Sequence, residues 1–219
     1  VKAVENVSFR IGAQETVALV GESGSGKTTI SQAIMGLLPK SAQITNGSIV
    51  FADPKKPGTR VDIAMLDRSG AEMRSIRGGR ISMIFQEPMS SLSPLHTIGD
   101  QICEAVRLHR KVGSSEAKEL ASDMLGLVGF PNPKRSLKTY PFELSGGLRQ
   151  RAMIAMEMVC RPALLVADEP TTSPFHLSPT HDRCPMGIQI DQTFAPTDPP
   201  ARLQWPVQTM STFALKEPY

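Results

Sequence analysis

Apolar and polar positions alternate over Val7–Ile11 as in a half-buried strand, and Glu15–Val20 (ETVALV) is a short apolar run leading into a glycine-rich stretch. Lys27–Leu38 carries a helical pattern that stops before Pro39. The start of the chain is therefore predicted as strand, loop, helix. Gly47–Phe51 and Ile81–Phe85 (ISMIF) are two further predicted strands, with a polar, proline-containing loop at Pro54–Gly58 between them. The period then changes. Over Thr97–Arg110, Ile98, Ile102, Ala105, Val106 and His109 share one helical face. Ser115–Val128 does the same with Leu120, Met124, Leu127 and Val128, and Gly129 is placed to end that helix. Gly146–Val159 reads as another helix, and after Pro162 the run Ala163–Ala167 reads as a buried strand ending at Asp168 and Glu169. Together these elements predict an α/β domain carrying a small helical subdomain.

From Ser173 the pattern breaks up. Pro174, Pro179, Pro185, Pro196, Pro199, Pro200, Pro206 and Pro218 interrupt nearly every window in which an element can be drawn. Residues 173–219 are predicted as an unstructured tail, with local pairing around Ile188, Ile190 and Trp205 as the alternative.

Composition sets only broad bounds. A length of 219 residues suits one sizeable α/β domain, with or without a small appendage. The net charge of +3, from 24 basic and 21 acidic residues, gives no ground for a nucleic-acid or membrane-surface partner. Cys103, Cys160 and Cys184 are odd in number and widely spaced, which indicates neither a disulfide framework nor a zinc site and fits a reducing cytosol. No apolar run approaches the ~20 residues of a membrane-spanning helix, and a signal-peptide pattern is lacking, so a soluble chain is expected. Val1 already lies in strand-like sequence, and residues upstream of it are expected.

The chemistry is carried first by Gly21-Glu22-Ser23-Gly24-Ser25-Gly26-Lys27-Thr28-Thr29. Its glycines allow backbone angles and close approaches that side chains forbid, so successive N–H groups turn inward around phosphate oxygens. Lys27 supplies a mobile positive charge for the β and γ phosphates, the helix beginning there adds its N-terminal dipole, and the Thr28 hydroxyl is a Mg²⁺ ligand. This is a phosphate-binding loop in its required strand-to-helix setting. Asp168 and Glu169 close an apolar strand, where the aspartate is expected to hold the Mg²⁺ shell and the glutamate to polarise the attacking water.

Leu144-Ser145-Gly146-Gly147-Leu148-Arg149-Gln150 (LSGGLRQ) resembles the signature sequence of ABC-type ATPases. Ser145 and the N–H groups of Gly146 and Gly147 lie at a predicted helix start and form a second anion site. The resemblance implies that this site faces the γ-phosphate held by a partner subunit, with two ATP molecules between head-to-tail domains. Gln86 resembles the glutamine of that family that reaches Mg²⁺ and the attacking water. The text from Met83 to Ile102 (MIFQEPMSSLSPLHTIGDQI), from Tyr140 (YPFELSGGLRQRAMIAM) and from Arg161 to Thr172 (RPALLVADEPTT) is similar to the ATP-binding subunits of dipeptide, oligopeptide and nickel importers.

The resemblance implies a P-loop NTPase fold of ABC type: a RecA-like core over about 1–86 and 155–172, an antiparallel β part, and a helical subdomain over about 87–154. After Thr172 the family continues with a D-loop, a helix and an apolar strand ending in a histidine, where this chain reads SPFHLSPTHDRCPMG. The domain is therefore expected to be C-terminally incomplete. His181, with prolines on both sides, and His176 are not assigned the role of that histidine. Turnover is expected to be impaired, Val4 is the nearest remaining candidate for an adenine or ribose contact, and a frameshift or fusion after Thr172 is one origin for the tail.

The function implied is a transport-coupled ATPase using ATP and Mg²⁺, peripheral on the cytoplasmic face of the membrane. Its implied partners are a second ATP-binding subunit, transmembrane permease subunits and, indirectly, an extracytoplasmic solute-binding protein, with no nucleic acid. The alternatives are a defective product that binds nucleotide at most, and an ABC ATPase acting on DNA.

Overall fold

Gly26, at φ 92°, turns the chain into helix α1, Lys27–Ile34, in a computed structural model that describes residues 2–54, 56–85 and 91–168 and the backbone of 210–214. The helix stops short of the predicted Leu38 because Gly36, at φ 62°, reverses the backbone. Arg77 then donates to the Met35 carbonyl through Nε at 2.9 Å and to that of Gly36 through Nη2 at 3.2 Å. Arg68 binds the Leu38 and Ala42 carbonyls at 3.3 and 3.0 Å. Two guanidinium groups thus satisfy carbonyls that another helical turn would otherwise have used.

The predicted strand at Gly47–Phe51 appears as β1 (Ser48–Ala52) and pairs antiparallel with β2 (Arg60–Asp62), which the sequence pattern did not give, Val50 opposite Asp62 and Ala52 opposite Arg60. Burial alternates along β1, and Ile49 and Phe51 are both buried in the core. A third strand, β5 (Met210–Ala214), pairs antiparallel with the other edge of β1, Ser48 opposite Ala214 and Phe51 opposite Met210. The expectation of an unstructured tail is corrected at these positions: an open strand edge presents unpaired N–H and C=O groups, and this segment satisfies them. The rest of 173–219, including His176, His181, Ile188, Ile190 and Trp205, lies outside the described residues.

Helix α2 (Ala71–Ile76) leads through Gly78 and Gly79 into β3 (Ile81–Ile84), which pairs in parallel with β4 (Leu164–Ala167) from Ile81 opposite Leu164 to Ile84 opposite Ala167. The Arg80 guanidinium pairs with the Asp53 carboxylate, Nε to Oδ1 at 2.9 Å, and so fastens the end of β1 to the start of β3.

The helical part follows the predicted pattern closely. Helix α3 (Ile98–His109) buries Ile98, Ile102 and Val106, and α4 (Ser114–Leu127) ends where Gly129 takes φ 83°. The buried face of α4 is Ala117, Ala121, Met124 and Leu125; of the predicted face Met124 is buried, Leu120 and Val128 are half-buried and Leu127 is exposed. A short α5 (Pro133–Ser136) precedes α6 (Gly146–Met158). Residues of α3, α4 and α6 make one buried cluster, while α1, β1, α2 and β3 contribute to another. None of the helices among the described residues is long and apolar enough to cross a membrane.

Two predicted strands do not form. Val7–Ile11 holds no more than a single bridge residue at Ile11, although Val7, Phe9 and Ile11 pack on the β1 core. Glu15–Val20 forms no strand among the described residues, and Val20 is 86% exposed. A strand persists only where a neighbour takes its backbone groups, and the edge of β1 is occupied by β5 and β2.

Candidate nucleotide-binding site

The loop Gly21–Gly26 curls over the start of α1, with Gly24 at φ 81° and Gly26 at φ 92°, both left-handed. A Cβ on Gly26 would lie 2.7 Å from Val4 Cγ2 and 2.8 Å from the Ala3 carbonyl oxygen, so glycine is required there by space as well as by angle. The same contact places Val4 against the phosphate-binding loop. At Gly24 a Cβ would meet nothing within 4 Å, so that side of the loop faces open space.

Lys27 bends back into the loop. Its Nζ donates to the Gly21 and Glu22 carbonyls, both at 2.8 Å, and to Ser25 Oγ at 3.4 Å. All of these are oxygen acceptors, which phosphate oxygens can replace one for one. The backbone turns back on itself where Ser25 N donates to the Glu22 carbonyl at 3.2 Å. Thr28 and Thr29 follow in the first turn of α1, where N–H groups lack helical partners and the dipole favours an anion.

Asp168 is brought to this loop by β4. Thr28 Oγ1 donates to Asp168 Oδ1 at 3.1 Å, and Asp168 N donates to the Ile84 carbonyl at 3.0 Å, so the end of the parallel pair is held against α1. A hydroxyl and a carboxylate oxygen side by side, next to the loop, form a donor set that fits a hard divalent cation. Gln86 and Glu169, the other residues predicted for this site, lie outside the described residues.

The signature residues sit elsewhere, at the start of α6. Ser145 is its N-cap and accepts from Leu148 N at 3.4 Å; Leu144 is buried, whereas Ser145, Gly146 and Gly147 are exposed. A Cβ on either glycine would touch nothing within 4 Å, so the backbone there is open. Gln150 lies half-buried within the second turn of α6. The approach to the motif is braced: Glu143 Oε2 accepts from Tyr140 N at 2.7 Å, and Arg149 Nε donates to the Pro141 carbonyl at 2.7 Å.

Gln101 and Glu157 escaped the sequence pattern, and His109, placed on the predicted helical face, has a neighbour that the pattern does not give. Gln101 is buried on α3 with its amide fully engaged, His109 lies over Gly78 and Gly79, and Glu157 reaches β3 from α6. Burial lowers the His109 pKa and raises that of Glu157, the latter opposed by hydrogen bonds from Met83 and Ser82. A polar residue on an otherwise apolar helical face was the available signal for Gln101 and Glu157.

The family model described as ABC transporter matches residues 4–172. The chain is 50% identical over 174 residues to the dipeptide transport ATP-binding protein DppD of Bacillus subtilis, covering 79% of this chain and 49% of that protein. It is 48% identical over 174 residues to the glutathione import ATP-binding protein GsiA of Salmonella typhimurium, covering 79% of this chain and 27% of that protein. The chain thus spans about half the length, or less, of these curated relatives. Among solved structures, the dimeric bacterial ABC transporter cassette MJ0796 superposes with a TM-score of 0.62 at 29% identity, over 77% of this chain and 66% of that one. A post-hydrolysis dimer of the same cassette bound to ADP and Pi gives 0.56 at 26% identity, over 77% and 73%. With its phosphate-binding loop, signature and matched span taken together, the chain belongs to the ABC transporter family.

Proposed function

We propose that this chain is the ATP-binding subunit of an importer for peptides or similar small solutes, coupling ATP binding and hydrolysis to transport. The observation that carries the reading is the loop Gly21–Thr29 held against Asp168 by Thr28, within a span half identical to a dipeptide transport ATP-binding protein.

In this reading 1–86 and 155–172 form the nucleotide-binding core and 87–154 the helical subdomain. Gly21, Glu22, Ser23, Gly24, Ser25 and Gly26 enclose the phosphates with backbone N–H groups, and Lys27 exchanges its loop carbonyls for phosphate oxygens. Thr28 and Asp168 hold Mg²⁺, with Gln86 as a further ligand. Bound Mg²⁺ neutralises phosphate charge and fixes the phosphate geometry. Glu169 orients the attacking water. Leu144, Ser145, Gly146, Gly147 and Gln150 present the signature to nucleotide on a second ATP-binding subunit; that the MJ0796 cassette is dimeric supports the pairing of two such subunits. Permease subunits receive the resulting movement at the cytoplasmic face of the membrane, and a solute-binding protein delivers cargo to them.

A second reading, nucleotide binding without turnover, is favoured by one observation. Among the described residues Glu15–Val20 forms no strand as it enters the loop, Val20 is exposed, and positioning of the γ-phosphate depends on a rigid loop. Phosphate release by the purified chain, set beside Lys27→Ala, separates the two. A rate well above that of the variant supports hydrolysis, whereas equal rates with retained nucleotide binding leave the second reading.

A further inference from the structure

We propose that one edge of β1 is a seat with two rival occupants in the same chain: Met210–Ala214, which holds it in this structure, and Val7–Ile11, which takes it when the tail strand leaves. The inference goes beyond the nucleotide-binding reading and does not rest on it.

β1 is the middle strand of its sheet, so each of its edges needs its own backbone partner. β2 takes one edge over Val50–Ala52, and β5 takes the other over Ser48–Phe51. The second fit is imperfect. The register shifts between Ile49 and Val50, so that five residues of β5 span four of β1 and the ladder is irregular at its middle. The seat lies within the span that the family model matches, whereas its occupant lies outside it.

Val7–Ile11 carries the features of a strand for that edge. Val7, Phe9 and Ile11 are half-buried while Ser8 and Arg10 are exposed, the alternation of a strand with one face on a core. The half-buried three pack on the cluster that contains Ile49 and Phe51, the buried face of β1. With both edges of β1 taken, the segment lies on that cluster without a ladder to β1.

The ends of the segment allow it to move. Asn6 sits at φ 50° and Gln14 at φ 59°, left-handed values that residues other than glycine adopt at a cost, and the two bracket the segment. Ahead of Asn6, Val4 and Ala3 rest on Gly26, where a Cβ would come within 2.7 and 2.8 Å of them. Anchored there and bent at Asn6, Val7–Ile11 can swing by one strand spacing, ~4.8 Å, while the phosphate-binding loop keeps its contact.

The test is hydrogen exchange of the purified full chain without nucleotide, for the wild type and for Phe213→Pro/Ala214→Pro. Of two adjacent strand residues, one directs its N–H at the neighbouring strand, so the paired substitutions remove a rung whichever residue it is. In that variant the amides of 7–11 should exchange about tenfold more slowly than in the wild type. Those of 48–51 should keep their protection, because the seat is filled again. Ser211→Gly/Thr212→Gly, which weakens β5 without a proline, should slow 7–11 by a smaller factor. Exchange at 7–11 that stays as in the wild type overturns the proposal, whether or not 48–51 is left open. Should the proline variant unfold, the glycine variant decides: slower exchange at 7–11 upholds the proposal, and unchanged exchange overturns it.

Discussion

Thr28 Oγ1 and Asp168 Oδ1 lie 3.1 Å apart, joining the first turn of α1 to the end of β4 across most of the described chain. The contact makes a prediction about metal dependence. Thr28→Val and Asp168→Asn should each weaken Mg-ATP binding about tenfold, the scale of one lost charge-assisted contact at ~1.5 kcal/mol. Binding of the nucleotide without Mg²⁺ should change far less in Thr28→Val. Titrations with and without Mg²⁺ read both quantities.

Gly26 should be irreplaceable for a reason outside the loop. Gly26→Ala forces a Cβ onto Val4 Cγ2 and the Ala3 carbonyl, and adds about 1–2 kcal/mol of left-handed strain. Val4→Ala should fail to rescue it, because the Ala3 oxygen is backbone. Nucleotide binding by Gly26→Ala and by the double variant checks this, and recovery in the double variant would count against the packing described.

Glu157 makes a pH-dependent cost to stability. Its pKa is raised, chiefly by burial, so the folded chain binds more protons than the unfolded chain above pH ~4. Stability should therefore fall as pH rises from there through the raised pKa, and then level off. Glu157→Gln, which keeps a hydrogen-bonding side chain without the charge, should be the more stable protein near neutral pH, with the gap closing in acid. Urea unfolding across pH measures the gap.

His109 should behave in the opposite sense. Burial against Gly78 and Gly79 lowers its pKa, so the unfolded chain binds the extra proton, and stability is lost as pH falls below ~6.5 toward the folded value. His109→Gln should flatten that part of the profile. Gly79→Ala, whose Cβ would come within 2.8 Å of His109 Nδ1 and of the Ser75 carbonyl oxygen, should destabilise at every pH.

Much of this architecture was legible in the residues. Ile98, Ile102 and Val106 recur at helical spacing and are buried as that spacing requires, and the alternation of Ile49 and Phe51 is reproduced along β1. Thr97 and Ser145 sit where their side chains cap helices, as short polar residues before apolar runs should. What was not legible depends on distant partners. ETVALV has strand composition, yet composition does not supply the neighbour that a ladder needs, and Met210–Ala214 carried no comparable signal before it met the edge of β1. At the candidate site, Lys27, Thr28 and Asp168 were expected from local type and spacing, and the structure brings Thr28 and Asp168 together. The clasp of Val4 on Gly26 and the amide of Gln101 were not expected, because each is defined by what lies across from it.

The claim on which the rest depends is that Gly21–Thr29 holds Mg-ATP. Equilibrium titration of the purified chain with a fluorescent ATP analogue, with and without Mg²⁺ and beside Lys27→Ala, tests it most directly. The account predicts saturable, Mg²⁺-enhanced binding, competed by ATP and weakened about tenfold or more in Lys27→Ala, where a charge-assisted donor to phosphate is lost. Binding that is equal in the two proteins, or absent from the wild type, would contradict it.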